Sequence, residues 1–242
     1  SKTPAKTTGN GKAAAKKSAP AKSKGRPIKA DMPPFVAPQL CETATRPPSS
    51  DGWVHEIKFD GYRMQMRVES GKVALRTRTS LDWTEKFSQI AEAAAEFPDA
   101  LIDGEIVALD GDGNPDFSAM QAALANEDTG GLIFFAFDLL FANGEDLRPL
   151  ALLERKQRLQ ALLAKHMRPK ASLIRYAEHF DADGDSVLQS AIKTGLEGII
   201  SKRTDAPYRS GRSGNWVRIK SRPRHDVVVG GWKTTNGNFS SR

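Results

Sequence analysis

Lys58-Phe59-Asp60-Gly61-Tyr62-Arg63 gathers a primary amine, a carboxylate, a glycine and a guanidinium within six residues, directly after the apolar-alternating run Trp53 to Ile57. That set suits covalent transfer of a nucleotide. An amine can attack phosphorus, a nearby carboxylate can orient it, glycine lets backbone approach a ligand, and a guanidinium can hold phosphate or ribose oxygens. A free lysine amine titrates at about 10.4, so only about one in a few thousand is neutral at pH 7. Chemistry of this kind therefore needs burial or a neighbouring cation to favour the neutral amine. Read alone, the hexapeptide also describes a solvated turn.

Two further segments weigh against the turn. Leu101-Ile102-Asp103-Gly104-Glu105-Ile106-Val107 sets Glu105 in an apolar strand context, and Glu197-Gly198-Ile199-Ile200-Ser201-Lys202 does the same for Glu197. An unpaired carboxylate in such a place is costly, so ribose hydroxyls, a metal or a lysine must compensate it; a buried structural ion pair is the plainer reading. The second segment is followed by Trp216-Val217-Arg218-Ile219-Lys220, which adds two cations.

In this order and at this spacing, the segments resemble the nucleotidyl-transfer motifs of ATP-dependent DNA ligases, with the nearest likeness to the ligase domain of the bacterial end-joining enzymes called ligase D. The likeness runs from about Phe35 to Trp232. It takes in Thr77-Arg78-Thr79-Ser80-Leu81-Asp82-Trp83-Thr84, Phe134 to Leu140, and Asp205-Ala206-Pro207-Tyr208-Arg209-Ser210-Gly211-Arg212-Ser213. The resemblance implies ATP as cofactor with Mg²⁺ or Mn²⁺, and Lys58 as the nucleophile that forms a lysine–AMP intermediate. It implies that Asp60 orients the lysine and later the nick hydroxyl, that Glu56 and Ile57 lie at the adenine, and that Phe137 stacks on it. Amid Phe134, Phe135 and Leu139, simple core packing of Phe137 is an equal alternative. Arg63 and Glu105 are implied near the nucleotide, Glu105 and Glu197 near the metal, and Lys202, Arg218 and Lys220 at the phosphates, with Lys220 catalytic. Arg78, Arg209 and Arg212 are implied on the DNA backbone, solvent exposure being the alternative. One departure stands out: Arg218 occupies the first basic position of the family's Trp-x-Lys-x-Lys string, which keeps the charge but replaces a point by a fork.

The implied partners are nicked or broken double-stranded DNA, a Ku-type end-binding protein, and upstream polymerase or nuclease domains. An RNA ligase or a capping-type guanylyltransferase could share Lys58, Glu105 and Lys220. A non-catalytic basic DNA-binding module is a rival from another class, although such a module has no use for Lys58, Asp60, Glu105, Glu197 and Lys220 together.

The net charge of +7 is unevenly placed. Residues 1–30 hold eight Lys and one Arg with no acid, whereas the remainder holds 27 basic against 29 acidic residues. The tail, rich in Ala, Lys, Ser, Thr and Pro, cannot bury enough apolar surface to offset its ordering entropy and reads as a disordered basic linker over residues 1–32. Lys202 to Arg242 concentrates ten basic residues against Asp205 and Asp226, as a phosphate-facing surface would. A lone cysteine, Cys41, excludes a disulfide framework, and no apolar run is long enough to span a bilayer, so a cytoplasmic enzyme is the expectation.

The elements needed to position these residues read as follows. Met64 to Val68 and Val73 to Leu75 alternate about a Glu69-Ser70-Gly71-Lys72 turn, which predicts a hairpin. Leu101 to Leu109 and Leu132 to Phe141 read as buried strands, and Phe87 to Phe97, Phe117 to Ala125, Ala151 to Leu163 and Asp185 to Lys193 as helices, the last closed by Gly195. The interleaving lacks the regular beat of a doubly wound fold. It predicts an α+β domain of antiparallel sheets flanked by helices over residues 33–225, with the ATP-grasp-like nucleotidyltransferase fold implied by the resemblance. Residues 226–242 read as beginning with a further strand, which the resemblance implies is the first strand of an oligonucleotide-binding barrel. The calcium-like spacings that begin at Asp110 and Asp181 lack the required glycine and glutamate and read as turns.

Overall fold

The computed structural model describes residues 25–166 and 172–221. Two sheets face each other. The first has seven strands: β1 (Ile28–Lys29), β4 (Tyr62–Glu69), β5 (Lys72–Thr77), β6 (Ala100–Val107), β7 (Ile133–Ala142), β8 (Glu145–Asp146) and β9 (Ile174–Tyr176). They lie in the order β1-β8-β7-β6-β4-β5, with β9 added beside β7. The second sheet is β10-β3-β11-β12-β2, built from β2 (Gln39–Thr43), β3 (Trp53–Ile57), β10 (His179–Phe180), β11 (Gly198–Arg203) and β12 (Gly211–Lys220). The pairing is antiparallel as expected, apart from β7 with β9 and β12 with β2, which run parallel.

Alternation decides what each face carries. On the first sheet Met64, Met66, Val68, Ile102, Ile106 and Phe134 point to one side, where they pack with Phe87, Ile90 and Ala94 around α1 (Ser88–Ala94), with Met120 of α2 (Phe117–Ala125), and with Leu159 and Leu163 of α3 (Leu152–His166). Each such side chain contributes about 1.5–3 kcal/mol when fully buried. Positions on the other face, whose parity changes along β7 at register shifts in the β6–β7 ladder, point the other way, so Leu101, Phe137 and Leu140 meet Val36, Tyr208 and Trp216 between the sheets. The far face of the second sheet is covered by α4 (Gly184–Lys193), where Leu188 and Ala191 pack on Ile199 and Ile219.

The expected helices and hairpin are present within a few residues of their sequence bounds. Asp116 caps α2 by accepting from the Ala119 N–H at 3.0 Å, and Asp183 caps α4 from Ser186 N–H at 2.9 Å. Asp110, the first of the calcium-like spacings, is a turn whose carboxylate accepts from the Asp112 and Asn114 amides.

One boundary differs from the expected linker. Ile28 and Lys29 form an edge strand against Asp146 and Glu145, and the Ala30 N–H donates to Gly144 O at 3.1 Å, so the chain joins the sheet before residue 32. Backbone pairing to a free sheet edge outweighs a composition that offers almost no apolar surface. The expected barrel strand at 226–242 lies outside the described residues.

Candidate active site

The two facing sheets enclose a cleft of about 520 Å³, a size suited to a small-molecule ligand. Lys58, Arg63, Glu105, Phe137, Trp216 and Arg218 are among its lining residues. Period-two alternation explains the set: Arg63, Asp103 and Glu105 share a face of the first sheet, and Glu56 with Lys58, Ile200 with Lys202, and Trp216 with Arg218 share the opposing face of the second.

Lys58 follows β3 directly. Its backbone N–H donates to Gly198 O at 3.0 Å, and its ammonium donates to Glu197 Oε2. Glu197 Oε1 lies 3.3 Å from Lys220 Nζ, so one carboxylate bridges the two lysines. Gly198 makes the close approach possible: its φ of +148° is closed to other residues, and a Cβ there would sit 2.1 Å from Ile219 O. Gly61 is required for a different reason, since its Cβ would fall 2.2 Å from Ile106 O.

Arg63 is held in place. Nε and Nη2 donate to the two Asp103 oxygens at 3.0 and 2.6 Å, and Nη1 to Gln39 O at 2.6 Å. Tyr208 Oη donates to the same Asp103 carboxylate at 2.7 Å. A bidentate pair of this kind keeps the guanidinium charged and rigid. Glu105, paired across the ladder with Arg63, is pushed up to about 7 by burial, with Arg63 and Lys58 pulling in the opposite direction.

The third group is Glu56, whose two oxygens accept from two lysines: Oε1 from Lys156 at 2.7 Å and Oε2 from Lys202 at 2.6 Å. Burial alone would raise this carboxyl, but the two ammonium groups outweigh it and hold it below the usual carboxylate range. Lys202 also lies over the Trp216 and Phe137 rings, 4.1 and 4.5 Å from their centroids, and Phe137 meets Trp216 edge-on at 5.9 Å.

The cleft gathers Lys58, the buried Glu56 beside aromatics, and several cations, and comparison with known proteins gives its family. The family model for the ATP-dependent DNA ligase domain matches residues 37–220. The chain belongs to that family. It is 38% identical to the multifunctional non-homologous end joining protein LigD of Pseudomonas aeruginosa over 94% of this chain and 27% of that protein. The chain thus spans about a quarter of the length of that relative. Among solved structures, the ligase domain of M. tuberculosis LigD superposes with a TM-score of 0.65 at 33% identity, covering 76% of this chain and 59% of that one. A mycobacterial DNA ligase D complexed with ATP and MES gives 0.66 at 31%, covering 76% and 60%.

The ligase domain brings most of the anticipated residues to one cleft, in differing states. Lys58, Glu56, Ile57, Arg63, Glu105, Phe137, Lys202 and Arg218 line it. Lys202 is buried with its ammonium on Glu56 and the rings, and Arg63 spends its donors on protein acceptors. Phe137 is 7% exposed and both packs in the core and presents to the cleft. Arg218 donates to Thr43 Oγ1 at 2.9 Å, and Lys220 stands at the more exposed margin, bonded to Glu197. Arg78 and Arg212 are exposed and line the rim, whereas Arg209 is exposed but not part of the lining. Among the described residues, no hydrogen bond or ion pair engages the Asp60 carboxylate.

A magnesium ion needs oxygen donors. No group of three or more His, Cys, Asp or Glu side chains is gathered among the described residues, so the protein alone offers no cage. Glu197 and Glu105 as separate carboxylates fit the other mode, in which one or two carboxylates share the ion with nucleotide phosphates and water.

Lys156 and Asp103 were missed from the sequence. Lys156 shares with Leu152, Arg155, Leu159 and Leu163 the three-and-four spacing of the buried face of α3. That spacing was a usable signal. Asp103 carries no sequence signal beyond its alternation with Glu105.

Proposed function

We propose that this ligase domain is charged by ATP on Lys58 and passes AMP to a DNA 5′-phosphate, from which a 3′-hydroxyl displaces it to join the strands. In the first step the Lys58 nitrogen forms a bond to the α-phosphorus, the bond to the bridging oxygen breaks, and pyrophosphate leaves. The proton that the ammonium must lose has Glu197 as its nearest acceptor. Lys220 and Arg218 would stabilise the charge that builds on the transferring group. Magnesium bound at Glu197 and Glu105 with the nucleotide would screen that charge. Glu56, Ile57 and Phe137 form the base end of the cleft, while Arg78, Arg209 and Arg212 meet the DNA backbone. Likeness to the LigD proteins supports a role in non-homologous end joining, with a Ku-type protein and polymerase or nuclease domains as companions.

The observation that carries this reading is the placement of Lys58, bridged to Lys220 through Glu197, at a nucleotide-sized cleft. Incubation with magnesium and ATP radiolabelled at the α-phosphate tests it. The label should become covalent, labile to acid and stable to alkali, as a phosphorus–nitrogen bond requires. Lys58→Ala should abolish it, and so should Lys58→Arg, because guanidinium stays protonated. An adduct that persists in either variant removes Lys58 as nucleophile.

A further inference from the structure

Lys156 belongs to α3, outside the cleft, and is fully buried, so it touches no ligand itself. Its ammonium has three donors and meets three acceptors: Glu56 Oε1 at 2.7 Å, Ala177 O at 3.1 Å and Phe137 O at 3.3 Å. These lie on three separate segments, β3, the residue just after β9, and β7. The Tyr176 ring closes the fourth side, its centroid 4.7 Å from Nζ. Burying an ammonium costs several kcal/mol before compensation, and an apolar side chain would fill the same helical face without that cost. Packing therefore does not account for a lysine here.

What the lysine does hold is the base end of the cleft. It fixes one oxygen of Glu56, leaving Lys202 to fix the other, and it fixes the backbone of Phe137, whose ring lines the same cavity. A carboxylate pinned at both oxygens retains lone pairs in set directions. Adenine presents an amine donor on its polar edge, whereas guanine presents a carbonyl oxygen at the equivalent position, which a fixed carboxylate repels. A carboxylate free to turn loses that discrimination.

We propose that Lys156 is a positioning residue for base selection, setting the Glu56 carboxylate and the Phe137 backbone so that the cleft accepts adenine and rejects guanine. This rests on the adenylation reading above. It assigns to the helix a share in nucleotide specificity that Glu56, Phe137 and Lys202 cannot supply without it.

The test compares the full chain with Lys156→Met, Glu56→Gln and the double variant, in single-turnover adenylation by ATP and by GTP. Lys156→Met should lower the ATP-over-GTP preference about tenfold, on the scale of one charge-assisted hydrogen bond, through half-saturation by ATP rather than the saturated rate. Glu56→Gln should lose a similar preference, and the double variant should lose no more than Glu56→Gln, because both changes act on one interaction. The double variant also restores the net charge of the cluster, so electrostatic damage alone would be partly repaired. If Lys156→Met slows ATP and GTP equally, or its effect adds in full to that of Glu56→Gln, the role is structural and the proposal is overturned. Lys156→Gln keeps donors for the two carbonyls and carries the same expectation should the methionine variant not fold. Equilibrium titration with ATP and GTP reads the preference without covalent chemistry. Absence of an adduct in the unaltered chain would thus sink the adenylation reading while binding still decides the role of Lys156.

Discussion

Replacing Gly61 by alanine should damage catalysis far more than stability. The added Cβ would lie 2.2 Å from Ile106 O and 2.7 Å from Val107 Cγ1. A comfortable carbon–oxygen contact is about 3.3 Å, so the methyl demands about 1 Å of room. β6 cannot supply it, because Ile106 and Val107 are fully buried and the strand is laddered on both sides, to β4 and β7. The segment between Lys58 and Tyr62 must move instead. Gly61 has no positive φ, so the penalty is one of space and not of backbone strain. Overpacking of this kind costs about 1–3 kcal/mol of stability. A nucleophile displaced by about 1 Å loses about 100-fold in rate. The assay is single-turnover adenylation at saturating ATP, at a temperature where circular dichroism shows both proteins folded. Gly111→Ala is the control, since a Cβ there meets nothing within 4 Å. An adenylation rate in Gly61→Ala within about threefold of the control would refute the argument, because a shift of the size required cannot leave an in-line attack undisturbed.

Arg155→Met should destabilise the domain by about 3–5 kcal/mol in urea denaturation, since it strands the fully buried Asp138 carboxylate and the carbonyls of Leu150 and Ala206. Adding Asp138→Asn should recover part of the loss, and a single-variant loss below about 1 kcal/mol would contradict the buried pair. Acid should act through Glu56: its folded-state carboxyl is lowered from 4.5, so the ion cluster contributes stability that is complete above that value and is lost as pH falls through the folded value. Equilibrium unfolding as pH falls from about 6 to about 3, through the ordinary glutamate range, should therefore lose stability more steeply in the unaltered chain than in Glu56→Gln, where equal slopes would count against the cluster.

Strands and helices were legible because their periods are local. Met64, Met66 and Val68 repeat every second residue, and Leu152, Leu159 and Leu163 repeat at helical spacing, so the core-facing sides follow from the sequence. The edge strand at Ile28 was not legible, because two residues pairing to the free edge of Glu145–Asp146 leave no apolar pattern. Motif residues could be assigned to the site, yet their partners could not. Lys58 meets Glu197 across 139 positions and Lys202 meets Glu56 across 146, and only the register of β3, β11 and β12 brings them together. That register also holds Lys202 beside Glu56 and the aromatic pair, within the lining of the cleft.

Register also resolves an electrostatic puzzle. Beyond the basic tail the chain has two more acids than bases, so apart from the locally basic Lys202 to Arg242 its overall charge gives no reason to expect it to bind a polyphosphate. In the cleft, however, acids and bases are not matched one to one. Glu197 is shared by Lys58 and Lys220, and Glu56 by Lys156 and Lys202, so each bridge carries one positive charge beyond its carboxylate. Arg63, by contrast, is neutralised by Asp103, and Arg155 by Asp138. Surplus positive charge thus falls on these two bridges and on Arg218, Arg78 and Arg212 at the cleft, where Glu105 is, among the described residues, an acid outside any ion pair, and not on the pairs that brace the fold. In a partly desolvated cleft, uncompensated positive charges attract an anionic nucleotide more strongly than the same charges dispersed over the surface. The overall balance of charge then says little about the ligand, and the choice of which acid is shared says most of it.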